Sequence, residues 1–473
     1  MLGECNKCRV MWVFSCLIVA VCSLAFPKGA QAQCVGQPGN NAVLRMCSNG
    51  AFGPTGSTAL IDASVFSGTD ICAKIYNALQ SAPTAGAIID ARGINPFNTP
   101  CASGTSPWYN GVSGYIDKPS YLLLPTGTIT ISYTWVLPDK TRVAGQGAST
   151  TGQTGTVLSA LSPFMGATSG YPVAMVQFGD PSCMDGNSGV CFDISMEDVS
   201  LNGNSVSGLG GILNFNAQEL TYAKHINFYQ VAGTGLQIDS VSLPYQGQNS
   251  GPYIDISYSG GSTGTCASIT GYEIRGIHGI SCTATGNNGA AILLDAAATT
   301  LEDVNVSGFG YGIVLGSQKN TVTGKGDTRA LGDTLLNISG TVTNDLIRIC
   351  NPSVTSNPCP GGSTGLSPVW DVTVLAATSG SGTKNTIQDD MASSTLPNST
   401  DAHVAMYMLG EYKNGGFSRF TSSKSYPTWL VGSGNIPTNT GCAANLTGSL
   451  YSSTASSGSA LWVCVAGSWQ VVK

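Results

Sequence analysis

The sequence predicts an all-β protein wound as a parallel β-helix, with one helix at the start of the stack and a small β module at its end. Three observations carry this reading. From Tyr121 onward, short apolar strands follow at short intervals, separated by Gly, Pro or Asn turns and without long helices between them. A weak unit recurs: Glu197-Asp198-Val199-Ser200-Leu201, Lys224-His225-Ile226-Asn227-Phe228 and Glu302-Asp303-Val304-Asn305-Val306. Each copy is followed by a Gly-bearing turn and a second apolar strand, as in Gly211-Ile212-Leu213, Gly235-Leu236-Gln237-Ile238 and Gly312-Ile313-Val314-Leu315. The step from Val199 to Ile226 is 27 residues, a suitable length for one coil with its loop. A β-sandwich with chance similarity is the alternative.

The chain opens on a targeting pattern. Lys7 and Arg9 precede an uncharged apolar run, Val10 to Phe26, and Ala30-Gln31-Ala32 offers small residues where a signal peptidase reads them. An uncleaved anchor is the alternative, but the run is short for a spanning helix. Residues 1–32 are therefore expected to leave, giving a protein that begins near Gln33 outside the cytoplasm, with no later membrane span. Residues 33–65 are Gly- and Asn-rich and read as an N-terminal extension.

Next comes the helix. Thr69 or Asp70 can cap it, and Ile71, Ile75, Ala78 and Leu79 share one face before Ala82-Pro83 ends it. An apolar strand, Ala87 to Gly93, follows, and the β-helix proper is placed at 66–425. Residues 426–473 form the small C-terminal module, with runs around Leu450, Leu461 to Cys464 and Trp469 to Val472. Trp462 and Trp469 are expected to fill its core.

Twelve of the 16 cysteines lie beyond residue 32, an even number in an oxidising compartment. An elongated fold with local contacts favours neighbours as partners. The expected pairs are Cys34–Cys47, Cys72–Cys101, Cys183–Cys191, Cys266–Cys282, Cys350–Cys359 and Cys442–Cys464. Without residues 1–32 the chain carries 17 basic and 25 acidic residues, a net charge of −8. That argues against nucleic acid as a partner, since such binding needs clustered Lys and Arg. Three histidines in the whole chain make a His-rich metal site an unsuitable reading, and no phosphate loop, dinucleotide fingerprint or nucleophile elbow is present.

Asp198, His225 and Asp303 each precede the first inward residue of a repeat, so they are expected on one outward face. Glu197, Lys224 and Glu302 stand beside them. Two carboxylates and an imidazole there suit acid/base chemistry or part of a Ca²⁺ site; a solvated edge with modest His–Asp pairing is the plainer alternative. Arg275 and His278 form a second candidate pair beside Glu273. Tyr245, Tyr253, Tyr258 and Tyr272, in a loop-rich stretch, are candidates to stack on sugar rings or simply to cover the coil.

Residues 68–150 resemble the N-terminal part of the pectate-lyase-like superfamily. The matching features are the helix from Asp70 to Leu79, the Ile88-Ile89-Asp90 strand, Leu124-Pro125-Thr126-Gly127 with Thr128-Ile129-Thr130-Ile131, and Val143-Ala144-Gly145-Gln146-Gly147. The repeats at 193–315 resemble its middle coils, so the likeness runs over roughly 68–340. It implies a right-handed parallel β-helix with an N-terminal capping helix, and a secreted protein that acts on an extracellular, pectin-like or other polysaccharide as a lyase or glycoside hydrolase. The hydrolase branch carries Asn-Thr-Asp, Asp-Asp, Gly-His-Gly and Arg-Ile-Lys in that order. Here Asp389-Asp390 and a near match, Gly276-Ile277-His278-Gly279, occur in the reverse order, and the other two motifs are missing. Lyase signatures with Trp-Ile-Asp-His or Arg-x-Pro-x-x-Arg are missing too. The architecture also serves adhesins and phage tailspikes, and the last 35 residues resemble a terminal module of secreted or fibre-like proteins. A non-catalytic surface or fibre-like glycan binder is therefore the rival reading, and a homotrimer is compatible with it.

Overall fold

In a computed structural model, the chain alternates between two long, mostly parallel sheets. The structure describes residues 43–46, 58–94, 99–112, 114–149, 154–167, 171–180, 191–214, 217–238, 250–272, 274–297, 299–315, 330–331 and 333–350, and strands at 369–370, 373–375, 379–381, 387–389, 405–407, 429–432, 450–453, 461–465 and 468–472. The order in the middle is a strand on the first sheet, then one on the second: Ser195–Asn202, Gly210–Asn214, Tyr222–Tyr229, Thr234–Ile238, Tyr253–Gly260, Thr265–Tyr272, Ile277–Ala284, Ala290–Ala297, Thr300–Phe309, Tyr311–Leu315, Thr334–Val342 and Ile347–Ile349. Every neighbouring pair within this middle run is parallel. The protein is a parallel β-helix, and its winding is the right-handed sense that parallel crossovers adopt.

The register explains the stacking. Val199, Ile226, Ile256, Ile280, Val304 and Ile338 occupy one position on successive coils, and all are buried. Each buried aliphatic side chain contributes about 1.5–3 kcal/mol. Leu201, Phe228, Tyr258, Cys282 and Val306 form a second such column. Between them an outward column begins with Ser200, Asn227 and Ser257. The Asn227 amide donates to Ser200 Oγ at 3.4 Å, and Ser257 Oγ donates to Asn227 Oδ1 at 3.0 Å. Sequence steps between stacked partners from Val199 to Ile338 are 27, 30, 24, 24 and 34 residues at successive levels.

The helix Ile71–Ser81 starts at Asp70, whose carboxylate accepts the Ala73 N–H at 2.9 Å. Its buried face is Ile71, Cys72, Ile75, Tyr76, Ala78 and Leu79. Lys118 Nζ donates to the carbonyls of Leu79, Gln80 and Ala82 at the other end, a cation where the helix dipole is negative. The strand Thr58–Asp62, within the segment read as an extension, pairs in parallel with Ala87–Asp90 and so belongs to the stack. At the other terminus Trp429–Gly432, Leu450–Ser453, Leu461–Val465 and Ser468–Val471 form a four-stranded sheet, one strand more than the sequence reading gave. Trp462 and Trp469 are half-buried there.

Disulfides Cys72–Cys101 and Cys266–Cys282 are present. Cys191 and Cys464 are disulfide-bonded as well; Cys34, Cys47, Cys183, Cys359 and Cys442 lie outside the described residues, and Cys350 is buried. Among the described residues no helix is long and apolar enough to cross a membrane.

Candidate functional site

The long strands of the first sheet are bent at one residue each. Asp198, His225, Asp255, Asp303 and Asn337 have φ between +51° and +59°, and Gly279 has +71°. These six are skipped in the pairing register, each lying between paired residues such as Glu197/Val199 and Lys224/Ile226. They form a corner running along the helix axis. Left-handed backbone costs most side chains about 1–2 kcal/mol, and Asp, Asn and His tolerate it best after Gly. The residue types at the corner are thus partly a backbone requirement.

The corner gathers two of the predicted residues into direct contact. His225 Nδ1 is 3.0 Å from Asp198 Oδ1, and His225 Nε2 is 3.2 Å from Asp255 Oδ2. The imidazole therefore lies between carboxylates from the coils on either side. Only the doubly protonated ring donates to both. All three side chains face solvent, with Asp255 the most open at 60% exposure.

The structure places Asp303 at the same corner, two coils beyond Asp255, where its Oδ1 accepts from Asn337 Nδ2 at 2.5 Å. It does not touch Asp198 or His225 in that arrangement. Between Asp255 and Asp303 stands Gly279, which leaves a gap in the row of side chains. Two coils separate the flanking residues, about 10 Å from Cα to Cα at the usual strand spacing. An added Cβ at Gly279 would come within 2.6 Å of Asp255 Oδ1, so that carboxylate oxygen lies over the glycine.

His278 belongs to the adjoining column, in register with Ile254 and Glu302. Its Nδ1 is 2.9 Å from Glu302 Oε2, and its ring lies against Gly276. Arg275 is exposed in the turn before it. Glu197, on the same side, accepts the Tyr121 hydroxyl at 3.2 Å, and Lys224 pairs in register with Glu197.

For Tyr253 and Tyr258 the sugar-stacking expectation requires correction, and the alternative of packing on the coil holds. Tyr253 and Tyr258 are core residues, 0% and 2% exposed. Tyr253 donates to Ser250 Oγ and accepts from the Asn214 amide; Tyr258 donates to the Val231 carbonyl at 3.0 Å. Burial pushes both phenols up to about 12. Neither can present a ring face to a sugar: both are inside the coils, and Tyr258 fills space that Gly235 and Gly264 leave open. Tyr245, Glu273 and the side chain of Tyr272 lie outside the described residues.

Sequence reasoning missed Asp255. Tyr253-Ile254-Asp255-Ile256 has the repeat's pattern, but it sits in a stretch rich in Tyr, Gly and Ser that reads as loop. The Ca²⁺ expectation finds no support in the donor set. Among the described residues, the one group of three ligand atoms within 4.8 Å of one another is Asp70, Cys72 and Cys101. There the cysteines are bonded to each other and Asp70 caps the helix. At the corner the imidazole holds the carboxylates of Asp198 and Asp255 apart.

Fold and corner together define a parallel β-helix with an exposed carboxylate–imidazole row. No family model matches the chain, and no curated protein does. Among solved structures the chain is similar to ORF18 of Geobacillus virus E2, with 13% identity and a TM-score of 0.32, covering 74% of this chain and 62% of the viral one. The A-module of mannuronan C-5 epimerase AlgE4 from Azotobacter vinelandii shows 12% identity and a TM-score of 0.25, covering 61% of this chain and 87% of that module. The chain thus spans less than two thirds of the viral protein. The fold assignment rests on the strand pairing described above.

Proposed function

We propose that this is a secreted protein that cleaves glycosidic linkages of an extracellular polysaccharide, with the chain of sugars laid along the corner and Asp198, His225 and Asp255 as its proton-transferring groups. One observation carries the reading: an exposed imidazole is held at both nitrogens by carboxylates from adjacent coils. Asp198 orients the ring. His225 passes a proton toward Asp255 without moving. Asp255 gives its own proton to the substrate from Oδ1, over Gly279, as Oδ2 takes the proton from His225. A sugar laid over Gly279 meets the Asp255 carboxylate that covers the glycine, with Asp303 one coil further along, so a second carboxylate is available to hydrolysis. In β-elimination the same relay would take the proton beside a uronate carboxyl.

A second reading has its own support. The positive φ at every corner position selects Asp, Asn, His and Gly without any chemistry, which suits a stiff, non-catalytic glycan binder. The two are separated by assaying purified protein on neutral and uronate polysaccharides, with and without Ca²⁺. New unsaturated ends mean elimination, and new reducing ends alone mean hydrolysis. Asn keeps the left-handed corner unstrained, so His225→Asn, Asp255→Asn and Asp303→Asn are the informative variants. Turnover unchanged in all three would remove the corner as the site, and retention without cleavage across the panel would favour the binder.

A further inference from the structure

A second group of aromatic side chains lies outside the corner. Tyr109 stacks on Tyr115, with centroids 5.1 Å apart, and on Tyr133, at 5.9 Å, both with planes within 28° of parallel. The hydroxyls of Tyr115 and Tyr133 are 3.5 Å apart. All three side chains are partly exposed. Met165, in register with Tyr133, is 42% exposed and widens the apolar area.

The loop that carries Tyr109 and Tyr115 is tied down. Cys101 is bonded to Cys72 of the helix. Trp108, next to Tyr109, is fully buried and packs edge-on against Trp135 at 6.0 Å. Ser106 and Tyr109 exchange two backbone hydrogen bonds, and the Ile116 N–H donates to the Trp108 carbonyl at 2.9 Å. The hydrophobic requirement of the loop is met by Trp108 and Ile116, which are buried. Tyr115 also packs on the core from its buried side, and the three rings fix one another in place while each stays partly exposed. Burial, then Tyr133 and Tyr109, raise the Tyr115 phenol, and the buried Asp180 adds to the rise; burial first and Asp180 second raise the Asp117 carboxyl.

We propose that Tyr109, Tyr115 and Tyr133 form a carbohydrate-binding platform at the first coils, distinct from the corner. Ring faces suit the C–H face of a pyranose, and paired phenol hydroxyls suit its hydroxyl groups. The exposed Asp117 carboxyl, two residues along the chain from Tyr115, adds an acceptor for a sugar hydroxyl. Rigidity adds affinity, because little side-chain freedom is lost on binding.

Native electrophoresis of the full chain through gels containing β-glucan, xylan or polygalacturonate tests this. At least one polymer should retard the parent protein. Tyr109→Leu keeps the bulk and removes the ring, and should weaken that retardation about tenfold, while Tyr109→Phe should stay close to the parent. Tyr109→Leu should weaken retardation by the same factor in a His225→Asn background, which separates this platform from the corner. Should Tyr109→Leu lose its cooperative melt, Tyr133→Leu, carried on a strand, decides in its place. Retardation of the folded leucine variant equal to the parent's, or no retardation of the parent by any polymer, overturns the proposal.

Discussion

The carboxylate of Asp255 occupies the space that a side chain at Gly279 would need: a methyl group there would meet Oδ1 at 2.6 Å. Backbone conformation alone does not demand glycine, since Asp198, His225 and Asp303 hold similar positive φ. Gly279→Ala should therefore displace Asp255 and separate it from His225. The left-handed alanine adds a stability cost of about 1–2 kcal/mol. Gly279→Asn relieves the backbone but keeps the collision. Both variants should lose turnover on whichever polysaccharide the parent cleaves, while thermal melts show the larger loss for alanine. Full turnover in either would show that Asp255 need not stand over a gap.

Tyr258 offers a contrasting test, because its hydroxyl is spent inside the coil on the Val231 carbonyl. Tyr258→Phe leaves that carbonyl without its donor and should cost about 1 kcal/mol. Glycan retention and turnover should be unchanged. Urea titration and a gel-retardation comparison check the two halves; weakened retention at full stability would return Tyr258 to the ligand.

The stacked core was legible because Val199, Ile226 and Val304 each sit in an alternating strand that a Gly turn follows, and parallel stacking needs little more than alternation. The corner was half legible. Asp198, His225 and Asp303 were found as a face, but a left-handed bend has no signature in a single strand, so the cause of their alignment was not visible. The coils at 253–260 and 277–284 were hidden by Tyr and Gly, residues that read as loop and instead fill or clear the coil interior. The Tyr109, Tyr115 and Tyr133 stack brings together a loop and a strand end through a disulfide and a buried tryptophan. No local pattern encodes that meeting.

The Cys266–Cys282 bond joins the two sheets inside the core, with both cysteines buried and 16 residues apart in sequence. Closing a loop of that size stabilises by about 3 kcal/mol in the chain-entropy account. A Cys266→Ala, Cys282→Ala double variant should lose about that much in denaturant unfolding. It should keep parallel-sheet circular dichroism, since Cys282 is one position in a column that Phe228, Tyr258 and Val306 continue. An unchanged midpoint would mean that the unfolded chain is already confined there.

Asp333 makes stability depend on pH in an unusual direction. Its carboxyl is buried; Oδ1 accepts the Thr299 N–H at 2.9 Å, and Oδ2 has no hydrogen-bond partner among the described residues. Burial raises its pKa well above the ordinary carboxylate range, and the nearby Asp295 adds to the rise against the opposing Thr299 bond. The folded state therefore holds this proton more tightly than the unfolded chain. Its contribution is fully present below about pH 4, where the unfolded carboxyl is also protonated. It is lost progressively as pH rises toward the folded pKa. Asp333→Asn removes the ionisation, keeps an acceptor for Thr299, and should raise the urea midpoint at pH 7 while leaving it nearly unchanged at pH 4. Measuring both proteins across that range checks the sign, and a variant less stable than the parent at pH 7 would mean that the carboxylate is compensated by a partner on the buried side.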